Sequence, residues 1–228
     1  MIRPILFSGP MVRALLDGRK TQTRRILNMP PYDFDAIFCD DGIWYIGDAF
    51  TGRREHKLPV RYRVGDRLYV REAWHAARSL DNTRPRDIPR DAGIEYAATA
   101  RSYAEIGLKG KLRPSMFLPR WASRLTLFMT DVRVQRLQEI SEADAIAEGA
   151  EVSRLPGPDG GLMVATGNPG VYVTPYRWYR QLWDSLNAER GFGWDVNPWI
   201  VAVSFTVHRQ NIDMSIELAN GPRREEVR

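Results

Sequence analysis

The chain has 228 residues, 43% of them hydrophobic and 27% charged, with 33 Lys and Arg against 28 Asp and Glu. This composition belongs to an ordinary globular chain, one domain with insertions or at most two, and it holds no apolar run long enough to cross a membrane. The lone Cys39 excludes an intramolecular disulfide and a cysteine-based zinc site, so a reducing cytoplasm is the simplest setting.

In chain order, Met1 to Phe7 reads as too short for a signal peptide. Ser8-Gly9-Pro10 then opens a short helix, with Ser8 as N-cap, Pro10 in the first turn and Gly18 as a left-handed C-cap. Residues 28–63 and 78–115 are turn-rich and poorly periodic, and they read as insertions, as does 153–173 with its Pro156-Gly157-Pro158-Asp159-Gly160-Gly161 run. Arg67 to Arg71 follows a Gly65-Asp66 turn as a short strand. Arg124 to Leu137 is a longer strand whose alternation slips near Asp131, the mark of a bulge or bend. Ser141 to Glu148 reads as a helix with Ser141 and Asp144 as a capping pair and Gly149 at its end. Thr174-Pro175 starts a third helix with Tyr179, Leu182, Trp183 and Leu186 as its apolar stripe. Trp199 to His208 alternates as a half-buried strand, and 213–228 reads as a frayed tail. Several strands with few, short helices predict an α+β chain, a small mixed barrel rather than a doubly wound sheet.

Chemistry concentrates at Gly18-Arg19-Lys20-Thr21-Gln22-Thr23-Arg24-Arg25. A lysine that can lose its proton beside a hydroxyl makes a nucleophile without histidine. Residues 1–25 carry six basic residues against Asp17 alone, so the whole net charge of +5 lies there. That placement favours a phosphate-bearing partner, RNA or single-stranded nucleic acid, with Arg24 and Arg25 as its contacts. Phe7, Trp74 and Trp121 are candidates for stacking on a base, and Arg120 flanks the last of these. His56, His75 and His208 have no metal-ligand spacing, and there is no glycine-rich phosphate loop or dinucleotide fingerprint.

The Gly18–Arg25 segment resembles the signature of the ASCH superfamily, whose domains share a fold with PUA RNA-binding domains; Gly18, Lys20 and Arg25 match, and Thr23 stands where the pattern has glutamate. Residues 3–12, 65–74 and 119–124 are similar to phage and prophage proteins of this type. The resemblance implies one PUA-like domain over 1–212 with the three insertions. Lys20 and Thr23 also match the catalytic positions of bacterial acetylcytidine amidohydrolases, and Glu148, in a helix similar to theirs, falls on their downstream glutamate. The implied activity is amide hydrolysis on an N-acylated cytosine nucleoside or related modified base. Lys20, Thr23 and Glu148 would be catalytic, with no cofactor and no metal. A non-catalytic RNA or modified-DNA binding module, or a ribonuclease, are the alternatives. On a regular strand, residues three apart face opposite sides, so Lys20 and Thr23 converge only if the chain turns between them.

Overall fold

In the computed structural model, residues 1–99, 109–153, 160–165 and 172–214 are described. Among these the elements follow one another as β1 (Ile2–Leu6), α1 (Gly9–Leu16), β2 (Gln22–Ile26), β3 (Ala36–Asp40), β4 (Ile43–Gly47), β5 (Arg54–Lys57), β6 (Arg67–Arg71), β7 (Trp74–His75), β8 (Glu95–Tyr96), β9 (Thr126–Arg136), α2 (Glu142–Ala147), β10 (Val164–Ala165), β11 (Tyr172–Val173), α3 (Pro175–Asn187) and β12 (Trp199–His208), with short 3₁₀ turns between them. The fold is α+β, with a multi-stranded sheet and few helices, and no closed barrel forms among the described residues. No helix among the described residues is long and apolar enough to cross a membrane.

The chain divides into two compact units, each made of separate segments. The first comprises residues 1–18, 65–128 and 206–228; the second comprises 19–64 and 129–205, so the division falls within β9 and β12. In the first unit β1 runs parallel to β6, from Ile2 opposite Arg67 to Leu6 opposite Arg71. The opposite edge of β6 pairs antiparallel with the start of β9. The same unit holds a core of Trp74, Ala76, Ile88, Leu118 and Ala122, with Trp121 packed on its edge.

In the second unit β12 pairs antiparallel with β2, from Ile200 opposite Ile26 to Ser204 opposite Gln22. Helices α2 and α3 pack through Ala145, Tyr179 and Trp183 onto Ile200 and Ala202 of β12, with Leu137, Ile140 and Trp194 completing this core. Residues 200–203 of β12 are all buried, so this half is covered on both faces, and the expected alternation appears only from Val203 to His208. Of the α3 stripe, Tyr179 and Trp183 are buried, Leu182 is partly buried and Leu186 is 48% exposed.

The caps of α2 and α3 follow their sequence signals, whereas Ser8 stands at the N-cap of α1 without a side-chain cap hydrogen bond. The Ser141 hydroxyl accepts from Asp144 N, Thr174 accepts from Arg177 N, and both Gly18 and Gly149 take positive φ. Strand β9 breaks its burial pattern at Thr130 and Asp131, where the slip was predicted. The 28–63 stretch is more than an insertion loop: β3, β4 and β5 form a three-stranded antiparallel sheet. Its signal was the Asp41-Gly42 pair, whose φ values of 48° and 72° make the tight turn between β3 and β4. The 153–173 stretch contains the β10–β11 pair, with 154–159 and 166–171 outside the described residues, as are 100–108 of the 78–115 stretch and 215–228 of the tail.

Candidate functional site

All the residues that converge around Lys20 belong to the second unit. The backbone brings them together. Thr21 donates its N–H to Ala147 O at the end of α2, and its carbonyl accepts from Phe205 N of β12. Lys20 and Glu148 face each other as an isolated antiparallel bridge. The segment leaving the Gly18 cap is therefore already extended at Lys20, and strand alternation sorts the side chains that follow.

Lys20, Gln22 and Arg24 share one face. Lys20 Nζ donates to Glu148 Oε2 at 2.7 Å and to the Glu148 carbonyl at 2.8 Å. Arg24 Nη1 lies 3.2 Å from Glu148 Oε1 and donates to Gln22 Oε1 at 2.5 Å. Gln22 Nε2 donates onward to Asp144 Oδ1 at 3.1 Å and to Ser204 Oγ at 3.2 Å. Arg133 Nη2, from β9, donates to the same Asp144 oxygen at 2.9 Å. Arg24 Nη2 stands 2.9 Å from Asp144 Oδ2, yet its hydrogens miss that oxygen, so this contact is an ion pair without a hydrogen bond, and Arg24 Nε has no hydrogen-bond partner. The Arg24 guanidinium also lies 5.6 Å from the Tyr179 ring centre, and the Tyr179 hydroxyl interacts with the Glu148 carboxylate.

This network is almost dry: the side chains of Lys20 and Arg24 have no solvent exposure and that of Glu148 has 4%. Burial lowers the proton affinity of Lys20, and Glu148 only partly restores it, while the charges of Arg25 and Arg24 lower it further. Burial pushes the Tyr179 hydroxyl well above its ordinary range, and the Glu148 charge adds to that. Burial alone would raise Asp144, but hydrogen bonds from Arg133 and Gln22, with the Arg24 and Arg133 charges, take it to about 2. Ion pairs this buried must offset a large desolvation cost, so removing one partner strands the other.

Of the three expected catalytic residues, the structure brings Lys20 and Glu148 into contact and leaves Thr23 apart. Thr23 is buried on β2 opposite Val203, on the strand face away from Lys20, and no hydrogen bond joins it to Lys20 or Glu148 among the described residues. The chain makes no turn between 20 and 23, which is what their convergence required. Arg24, expected to meet phosphate, is internal and neutralised by Glu148 and Asp144; Arg25, on the Thr23 face, is half-buried.

The other candidates lie in the first unit. Phe7 is 3% exposed and Trp74 fully buried under the Arg113 guanidinium, so neither offers a ring face to a base. Trp121 is half-buried against the core around Trp74, and Arg120 is exposed but paired with Asp213. Sequence reasoning missed Gln22, Arg133, Asp144 and Tyr179. Gln22 was detectable as the residue two on from Lys20 in an extended segment, and Asp144 as the residue one helical turn before Glu148. Tyr179 is indistinguishable in sequence from its apolar stripe.

Among the described residues no group of three or more His, Cys, Asp or Glu lies together as metal ligands. No family model, curated protein or solved structure matches this chain.

Proposed function

We propose that Lys20 and Glu148 form the proton-transfer pair of an amidohydrolase, in a PUA-like domain of the ASCH type, acting on an N-acylated cytosine nucleoside or a related modified base. The observation that carries this reading is a lysine without solvent exposure whose amine lies 2.7 Å from a carboxylate. Burial brings the neutral amine closer to working pH, and the carboxylate is the proton's alternative seat. In the reaction, water adds to the acyl carbon and gives a proton to the pair. The pair passes it to the exocyclic nitrogen as the C–N bond breaks, leaving the free amine and a carboxylic acid. Water is favoured over the Thr23 hydroxyl as nucleophile because Thr23 stands on the opposite face of β2. No cofactor enters this scheme.

The same burial favours a second reading, in which the network only fastens α2 to β2 and the domain binds RNA or modified DNA without catalysis. A ribonuclease is the weaker third, since no histidine joins the network. The test is to incubate the purified chain with acetylcytidine and other N-acylated cytosine nucleosides and to follow release of the free amine. Turnover that Lys20→Met and Glu148→Gln abolish, and that Thr23→Val retains, supports the proposal, provided all variants melt cooperatively. A folded wild type that turns over none of these substrates ends the enzyme reading.

A further inference from the structure

The Arg24 guanidinium carries more donors than the network around it uses. Its N–H groups are two on Nη1, two on Nη2 and one on Nε. Nη1 donates to Gln22 Oε1 at 2.5 Å and to Glu148 Oε1 at 3.2 Å. Nε and Nη2 are buried and have no hydrogen-bond partner, in a residue that is 3% exposed. These two nitrogens share one edge of the guanidinium and present parallel N–H groups, a fork that fits a pair of adjacent acceptors. An unfilled fork in a dry site is costly, and a ligand with two such acceptors removes the cost.

The neighbours of the fork decide which acceptors fit. Asp144 Oδ2 lies 2.9 Å from Nη2, and Glu148 holds Nη1, so a carboxylate or phosphate in the fork would meet two carboxylates. A neutral ligand avoids that repulsion. Asp144, whose carboxyl is held at about 2, is charged near neutrality. Its Oδ2 has one hydrogen bond among the described residues, a long one of 3.5 Å from Ser141 N. Asp144 Oδ2, Arg24 Nη2 and Arg24 Nε therefore stand in the order acceptor, donor, donor. The pairing edge of cytosine is the complement: N4–H donates, and N3 and O2 accept. An acyl group on N4 leaves one N4–H in place, so the edge survives acylation. Uracil has a carbonyl and an N3–H in the first two positions and opposes both.

We propose that Arg24 and Asp144 read the base in this site: Arg24 donates from Nη2 to N3 and from Nε to O2 of an acylated cytosine, and Asp144 Oδ2 accepts from N4–H. This rests on the reading of Lys20 and Glu148 as a site for that base, to which Arg24 is joined through Glu148. The fork is closed to solvent in this conformation, so the base reaches it by displacing α2, the six-residue helix that carries Asp144.

The product nucleoside tests this without turnover. Cytidine is titrated into the whole protein while the Arg24 Nε–H signal, identified by its loss in Arg24→Lys, is followed by NMR. Expected are saturable binding that shifts this signal, and affinity at least about tenfold weaker for uridine and for 3-deazacytidine, which has C–H in place of N3. Arg24→Lys keeps the charge and lacks the fork; it should bind cytidine about tenfold more weakly and no longer separate it from 3-deazacytidine. The 3-deazacytidine comparison uses wild type alone and holds even where that variant misfolds. No binding of cytidine at millimolar concentration, equal affinity for 3-deazacytidine, or binding that leaves the Arg24 signal in place would each overturn the proposal. So would tighter binding of acetate at the same signal, which would make the occupant a carboxylate. Acetylcytidine turnover without discrimination at N3 removes this assignment and leaves the enzyme reading standing; cytidine held at Arg24 with no turnover does the reverse.

Discussion

The Lys20 amine donates to the Glu148 carboxylate and carbonyl, and its side chain has no solvent exposure. Lys20→Met keeps the bulk and leaves Glu148 with Arg24 as its remaining cation, so a loss of about 3 kcal/mol is expected in urea unfolding. The pH dependence has a definite sign. Lys20 holds its proton less tightly folded than at its ordinary 10.5, so between the lowered value and 10.5 the unfolded chain binds more protons. The stability of wild type relative to Lys20→Met should therefore grow as pH rises towards 10.5. Asp144 is also lowered and gives the same sign in a more acid window. Its stabilisation is present above 3.8 and is lost as pH falls towards about 2, so Asp144→Asn should remove that acid-limb slope. Because Asp144 is partly exposed, roughly 1 kcal/mol is the expected size after solvent screening.

Helix α2 has only six residues and would not persist alone; its caps and its partners on β2 hold it. The Ser141 hydroxyl and the Asp144 carboxylate form a capping box, and Asp144 also ties the helix to Gln22 and Arg133. Ser141→Ala should cost about 1 kcal/mol and loosen Asp144, seen as weaker amide protection at Glu148 in hydrogen exchange. The β4–β5 hairpin has a different constraint. A Cβ on Gly47 would sit 1.8 Å from the Arg53 carbonyl oxygen, a distance no relaxation of side chains removes. Gly47→Ala should cost about 3 kcal/mol or more and disperse the amide signals of β3, β4 and β5, while Gly52→Ala, with nothing near but a positive φ of 69°, should cost only about 1 kcal/mol and preserve that pattern.

Across the whole molecule the net charge of +5 does not act as a free basic face near the N-terminus. Two of its six cations there, Lys20 and Arg24, are spent on Glu148 and Asp144 inside the second unit. If the protein binds single-stranded nucleic acid, Arg24→Gln should lower the melting temperature and leave the salt dependence of binding unchanged. A flattened salt slope in a variant with wild-type melting would show instead that Arg24 meets phosphate.

Local signals in the sequence determined the ends of α2 and α3, the strand over Arg67–Arg71 and the slip in β9. Caps, glycines and periodicity act within a few residues of one another, so they are legible without a fold. The three-stranded sheet within 28–63 was marked only by Asp41-Gly42, because strands of four or five residues carry too few alternations to stand out from loop. Only the tertiary structure decided that Gln22 and Arg24, and not Thr23, share a face with Lys20. That choice depends on the chain being extended from Lys20 onward, which the pairing of Thr21 with Ala147 and Phe205 imposes from more than a hundred residues away in sequence. The burial that perturbs Lys20 likewise depends on segments distant in sequence, Glu148 at the end of α2 among them, and no pattern within Gly18–Arg25 encodes it.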